Sequence, residues 1–134
     1  MDIIASIKKE RNLDLLEAYD RELKKLGKYA TRVSHKSIVE LAVNSASKQY
    51  YVTLDEAMRR ISYIEKHGDS KILNPEIRKM YDSIYSKYIL FKAKHKNFPK
   101  SALVQMAIDS PAEKFFLDIK TATLILRNML KNEN

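Results

Sequence analysis

Apolar residues recur at every third or fourth position along most of this chain, which is the spacing of helices with one buried face. Such a stripe runs from Leu13 to Lys28 after Asn12, a good helix cap, and residues 1–11 add a further apolar turn. Five more helices are predicted to begin at or beside Ser34, Thr53, Asn74, Pro99 and Asp118. With only two glycines and three prolines in 134 residues, the chain is predicted to be all-α.

One stretch of this pattern occurs twice. Residues 36–61 resemble residues 101–126, which lie 65 positions later: Val39 aligns with Val104, and most other positions match in kind. Both stretches read as a helix, a short extended link and a second helix, and a further helix precedes each of them. We therefore expect a tandem duplication of a three-helix unit.

The two repeats span residues 1–66 and 67–134. A unit of about 65 residues is close to the lower limit for independent folding, because a small chain buries too little apolar surface. We therefore expect the repeats to share a core within one compact domain.

The two links are rich in aromatic and β-branched residues, which favour extended backbone. We expect the links to pair as a minor two-stranded ribbon. Neighbouring side chains of an extended segment point to opposite sides. Core packing is therefore the favoured role for Tyr50, Tyr51, Phe115 and Phe116, although aromatic rings can also stack on bases.

The composition argues against several kinds of chemistry. The chain has no cysteine, so disulfides and thiolate-bound metals are excluded, and its three histidines lack metal-ligand spacing. Phosphate-binding glycine loops and nucleophile motifs are missing as well. We expect a non-enzymatic protein without a metal or other cofactor. It also shows no signal peptide and no apolar run of membrane-spanning length, so we expect a cytoplasmic protein without a membrane partner.

The charge points to a polyanionic partner. The formal net charge is +8, and basic residues are concentrated where the first helix of each repeat joins the second. We expect these clusters to contact phosphates, aided by the unpaired amides at the following helix start. A lysine-rich loop that only keeps the protein soluble is the alternative interpretation. The predicted phosphate contacts are Lys28, Arg32, Lys36, Lys94, Lys96 and Lys100.

The second and third helices of the first repeat are also compatible with a helix-turn-helix, a motif that binds DNA. In that interpretation Arg59 and Arg60 contact base edges, with Lys48 and Gln49 just before their helix. The third helix of the second repeat is too apolar for this role. DNA is the expected nucleic acid.

The second interpretation is a protein-interaction or assembly module, such as an accessory protein of a phage or mobile element. Its partner surface would be the apolar segment 121–130 together with a stripe of Tyr81, Tyr85 and Tyr88. Such a surface also fits a homo-oligomer. The sequence leaves the nucleic-acid and protein-interaction functions open.

Overall fold

The computed structural model of the chain describes residues 2–132. Six α-helices lie in this range: α1 (Ile3–Leu26), α2 (His35–Val43), α3 (Leu54–His67), α4 (Pro75–Lys94), α5 (Lys100–Asp109) and α6 (Ile119–Asn132). A short 3-10 helix, Gly27–Arg32, follows α1. No strand occurs in the described residues, so the predicted all-α class is confirmed. Met1, Glu133 and Asn134, at the ends of the two predicted repeats, lie outside the described residues.

Short polar side chains set most of the helix starts. Each accepts a hydrogen bond from a first-turn amide that would otherwise have no partner: Asp2, Ser34, Thr53, Asn74 and Asp118. α5 follows Pro99, which has no such acceptor. The helix predicted from Leu13 begins earlier, at Ile3, because Asp2 caps it. It ends at Leu26, before Gly27, whose φ of 55° suits glycine.

The helices form two three-helix bundles that exchange their third members. α1 and α2 pack against α6, whereas α4 and α5 pack against α3. Leu126 of α6 is buried in the α1–α2–α6 core, and Ile61 of α3 is buried in the α3–α4–α5 core. Each core therefore contains residues from both halves of the sequence. The third helix of each predicted repeat packs outside its own half.

The links between α2 and α3 and between α5 and α6 meet in a single antiparallel bridge. Ser47 and Ala112 exchange two backbone hydrogen bonds, of 3.0 and 3.1 Å. The Tyr50 amide then donates to the Ile108 carbonyl at 2.9 Å, and the Phe115 amide donates at 2.9 Å to the carbonyl of residue 43. These two bonds are related by the 65-residue offset.

The expected two-stranded ribbon is not formed within residues 2–132, where the links share a single antiparallel bridge. The physical reason lies in the next hydrogen bonds along each link. The amides of Tyr50 and Phe115 donate to carbonyls near the ends of α5 and α2, respectively, instead of to the other link. A ladder therefore cannot extend beyond the Ser47–Ala112 pair.

The aromatic residues of the links supply both cores. Tyr50 and Phe116 pack in the α3–α4–α5 core with their rings stacked, 6.1 Å apart between centroids. Phe115 is buried in the α1–α2–α6 core, and the half-buried Tyr51 packs against it. Neighbouring rings thus point to opposite sides, as the extended pattern predicts, and all four have the core role that we favoured.

Candidate nucleic-acid interface

In each half of the chain, one basic connection joins the first helix to the second. The first basic connection comprises residues 27–36, from the end of α1 into the first turn of α2, and the second comprises residues 92–100, from the last turn of α4 to the first residue of α5. The Tyr19 hydroxyl of α1 lies 3.1 Å from Nδ1 of His35, so the first connection is held against α1 at its far end. Burial, with a smaller contribution from the charge of Asp20, raises the pKa of Tyr19 above its usual value.

The first basic connection presents cations that have no carboxylate partner. Lys28, Arg32 and Lys36 are all exposed, and none forms an ion pair within residues 2–132. Tyr29 lies among them with 54% of its surface exposed, and the Lys28 ammonium is 5.4 Å from the centre of its ring. Lys28, Tyr29 and Arg32 line a shallow cavity of about 270 Å³.

The second basic connection repeats this arrangement in part. Lys94 and Lys96 are exposed and have no ion-pair partner in the described part of the chain. The His95 ring stacks on Phe98, with centroids 4.5 Å apart and an angle of 19° between the planes. Phe98 itself is 47% exposed. An exposed aromatic ring therefore lies among unpaired lysines here as well.

Lys100, also predicted to contact phosphate, is already occupied within the fold. Its ammonium is paired with the Glu65 carboxylate and donates to the Ser62 hydroxyl at 2.8 Å. Burial would raise the pKa of Glu65, but the hydrogen bond and charge of Lys100 outweigh it and keep that pKa below its usual value. Lys100 therefore joins α5 to α3 and offers less charge to a ligand.

Internal partners also hold the four residues predicted around the helix-turn-helix. Lys48 pairs with Glu17 at 2.8 Å, and the Gln49 amide donates to Glu10 at 3.1 Å. Arg59 and Arg60 both pair with Glu56, which lies on the same helix. Each of these four side chains would have to break its contact with a carboxylate before it could bind a ligand.

The helix-turn-helix interpretation is wrong for this chain. That motif requires its two helices to pack together across a tight turn, but α2 and α3 are not in contact. The link after α2 pairs with the link after α5 and leads to α3, which packs against α4 and α5. The helix that carries Arg59 and Arg60 is therefore positioned by the other half of the chain.

Each basic connection lies about one helix length from the bridge between the links. α2 begins at the first connection and ends beside the Phe115 amide, near the bridge. Its nine residues correspond to roughly 13 Å at 1.5 Å per residue, and the ten residues of α5 correspond to about 15 Å. The first connection thus belongs to the α1–α2–α6 bundle and the second to the α3–α4–α5 bundle.

The surfaces predicted for a protein partner are largely used inside the fold. Ala122 and Leu126 of α6 are buried against α1 and α2, and three neighbours are half-buried there: Ile125, Met129 and Leu130. Leu124 remains exposed. Tyr81 and Tyr88 are buried in the α3–α4–α5 core, and Tyr85 packs against it. The apolar pattern of both segments is therefore accounted for by core packing.

A cavity of about 540 Å³ lies between the start of α1 and the start of α3, with Ile3, Leu54 and Tyr81 among its walls. The Arg11 guanidinium also lines it and donates to the neighbouring Asn12 side chain at 3.1 and 3.2 Å. Burial lowers the pKa of Arg11.

In the described residues, no three side chains of histidine, cysteine, aspartate or glutamate are grouped to hold a metal. No described helix combines the length and apolarity needed to cross a bilayer.

Comparisons of the chain with protein-family models, with curated proteins and with solved structures give no significant match. The residues themselves identify one feature that sequence reasoning missed. Tyr29 and Phe98 are exposed rings within the basic connections, whereas the aromatic residues singled out from the sequence are mostly buried. Their signal was present, because both interrupt lysine-rich segments and lie outside the helical apolar stripes.

Proposed function

We propose that this chain is a small, non-enzymatic nucleic-acid-binding protein, with DNA as the expected ligand, and that its two basic connections bind the phosphate backbone. The observation that carries the proposal is the uneven pairing of the ten predicted contact residues. Five of them are exposed and form no ion pair within residues 2–132, and these five all lie in the connections: Lys28, Arg32, Lys36, Lys94 and Lys96. The other predicted contacts have carboxylate partners.

Unpaired surface cations bind a polyanion chiefly by releasing its condensed counterions. Five phosphate contacts on duplex DNA correspond to a slope of about −4.5 in log affinity against log salt concentration. Raising the salt from 50 to 200 mM should then weaken binding by roughly 500-fold. A steep salt dependence is therefore the first expectation of this function.

The test uses fluorescence anisotropy of a labelled 20-nucleotide DNA, single-stranded and duplex, at both salt concentrations. The triple variant Lys28→Glu, Arg32→Glu, Lys36→Glu should bind at least tenfold more weakly and should show a shallower salt slope. A matched control reverses three exposed cations outside both connections: Lys9→Glu, Arg78→Glu and Lys120→Glu. Both variants change the net charge equally, so equal losses would count against the assigned surface. Absence of binding by the unaltered protein would refute the function.

We infer further that residues 1–66 and 67–134 are copies of one unit that fold together as one domain. Three features related by the 65-residue offset support this. They are the reciprocal Ser47–Ala112 bridge, the two link amide bonds and the matching helix caps at Thr53 and Asp118. A duplicated unit would account for two similar basic surfaces on one molecule.

A protein-interaction or assembly function, including self-association, is the second candidate. The observation that favours it is at the start of α1, where Ile3 and Ile4 are exposed beside the 540 Å³ cavity. Exposed apolar patches next to a cavity are common at partner surfaces. Light scattering distinguishes the two functions: a monomer that binds DNA supports the first, and a stable oligomer that ignores DNA supports the second.

A further inference from the structure

We propose that both basic connections bind unpaired bases by stacking, on Tyr29 in the first and on the His95–Phe98 pair in the second. The ligand class is then single-stranded nucleic acid. This inference rests on the proposed function, and it adds base contacts to the phosphate contacts. Proteins that bind single strands without sequence preference combine these two features, a cationic path for the backbone and aromatic rings for the bases.

The first connection combines both features within a few residues. More than half of the Tyr29 surface is exposed, and the ring forms one wall of the shallow cavity whose other walls are Lys28 and Arg32. No carboxylate pairs with these two cations anywhere in residues 2–132. A base lying on the ring would have its phosphate within reach of Lys28 or Arg32.

The second connection presents a ring that already stacks on a neighbouring ring. Phe98 lies against His95, with the ring centroids 4.5 Å apart. Lys94 and Lys96 lie on either side of His95 in the sequence and are exposed.

The distribution of rings in the structure supports a role in binding. Among the described residues, the exposed aromatic side chains are Tyr29, Tyr63 and Phe98, and two of these three lie in the basic connections. Tyr63 lies on α3 against His67, and no lysine or arginine within residues 2–132 lies over its ring. Tyr63 therefore provides a control ring of similar exposure, 40%, outside the connections.

An unpaired strand fits this surface better than a duplex does. Bases within a duplex are covered on both faces by their neighbours and offer no ring surface to Tyr29 or Phe98. Reading a duplex through its major groove requires a helix or ribbon with available polar side chains. The arginines that sequence reasoning assigned to that task, Arg59 and Arg60, are both paired with Glu56.

The first experiment compares two probes by anisotropy at 50 mM salt: a dT20 strand and a 20-unit abasic strand, which keeps the phosphates and lacks bases. Tyr29→Leu and Phe98→Leu keep an apolar side chain but remove the ring. Each should weaken dT20 binding by about 5- to 150-fold and leave abasic binding within about twofold. Tyr63→Leu should leave both unchanged.

The outcomes separate the two levels of the proposal. If the unaltered protein binds neither probe, the proposed nucleic-acid function fails, and the stacking role fails with it. If it binds both probes equally and the leucine variants match it, phosphate binding stands and stacking is refuted. A duplex that binds more tightly than dT20 also overturns the single-strand assignment.

A second experiment reports stacking directly and does not depend on affinity. The chain contains no tryptophan, so Tyr29→Trp, Phe98→Trp and the control Tyr63→Trp each introduce a single tryptophan, whose emission can be excited selectively over that of the tyrosines. Stacking on a base should quench the emission of the first two when dT20 is added, but not when the abasic strand is added. Tyr63→Trp should respond to neither. Equal quenching at all three positions, or none at positions 29 and 98, would refute the proposal.

Discussion

Asp14 should hold the link between α2 and α3 in place. Replacing Asp14 should show how much this contact stabilises the fold. Asp14 lies on α1 with only 3% of its surface exposed. One carboxylate oxygen accepts hydrogen bonds from the Lys48 amide at 2.9 Å and from the Tyr51 hydroxyl at 2.6 Å. Burial, together with the hydrogen bond and charge of Asp14, raises the pKa of Tyr51, so this hydroxyl remains a donor.

The size of the effect follows from the two donors that Asp14→Ala leaves without a partner. Each unsatisfied buried donor costs about 1–3 kcal/mol. Part of this loss is offset, because the other oxygen of Asp14 has no hydrogen-bond partner in the described structure and its burial is itself unfavourable. We expect Asp14→Ala to lower the free energy of unfolding by about 2–4 kcal/mol, and Tyr51→Phe to lower it by about 1–2 kcal/mol.

Urea denaturation of the two single variants and the double variant gives the interaction energy directly. Because both single changes break the same hydrogen bond, the double variant should be about 1–2 kcal/mol more stable than their sum predicts. Tyr50→Phe is the control, since its hydroxyl contacts Ser83 in the other bundle. The effects of Asp14→Ala and Tyr50→Phe on the free energy of unfolding should be additive. Additive effects of Asp14→Ala and Tyr51→Phe would refute the assigned contact.

Two further expectations concern the cores. Ile61 and Leu126 are fully buried in opposite bundles, so truncating either to alanine should cost about 3 kcal/mol and leave one unfolding transition in thermal denaturation. Two separate transitions would show that the bundles unfold independently. Burial, with a smaller contribution from the charge of Glu56, raises the pKa of Tyr81 to about 12. Since the unfolded tyrosine ionises near pH 10, this residue should lower stability as the pH rises from about 10 to 12. Tyr81→Phe should reduce that loss, as followed by circular dichroism against pH.

The sequence predicted the helices well because their starts depend on local hydrogen bonds. Thr53 and Asp118 cap the helices that they were expected to cap, and the pairing of Arg60 with Glu56 is one turn long and visible in the sequence. The contact between Lys48 and Glu17 spans 31 positions, so no local pattern indicates it.

The exchange of α3 and α6 was not predictable for a different reason. Both helices carry the same apolar spacing, so either could fill either core, and only the path of the links decides between the two arrangements. That path depends on the bridge between Ser47 and Ala112, a contact between residues 65 positions apart. The helix-turn-helix interpretation failed at this point, because it assumed that consecutive helices pack together.

The exchanged packing has a consequence for proteolysis in the segment between Gly68 and Asn74, which joins the two halves. Cleavage there breaks the covalent connection between the two halves. α6 nevertheless stays packed against α1 and α2, and α3 stays packed against α4 and α5. The two fragments would have to pull both helices out of well-packed cores before they could separate. A cleaved molecule should therefore elute as a single species in size-exclusion chromatography, and its two fragments should separate only when it is denatured.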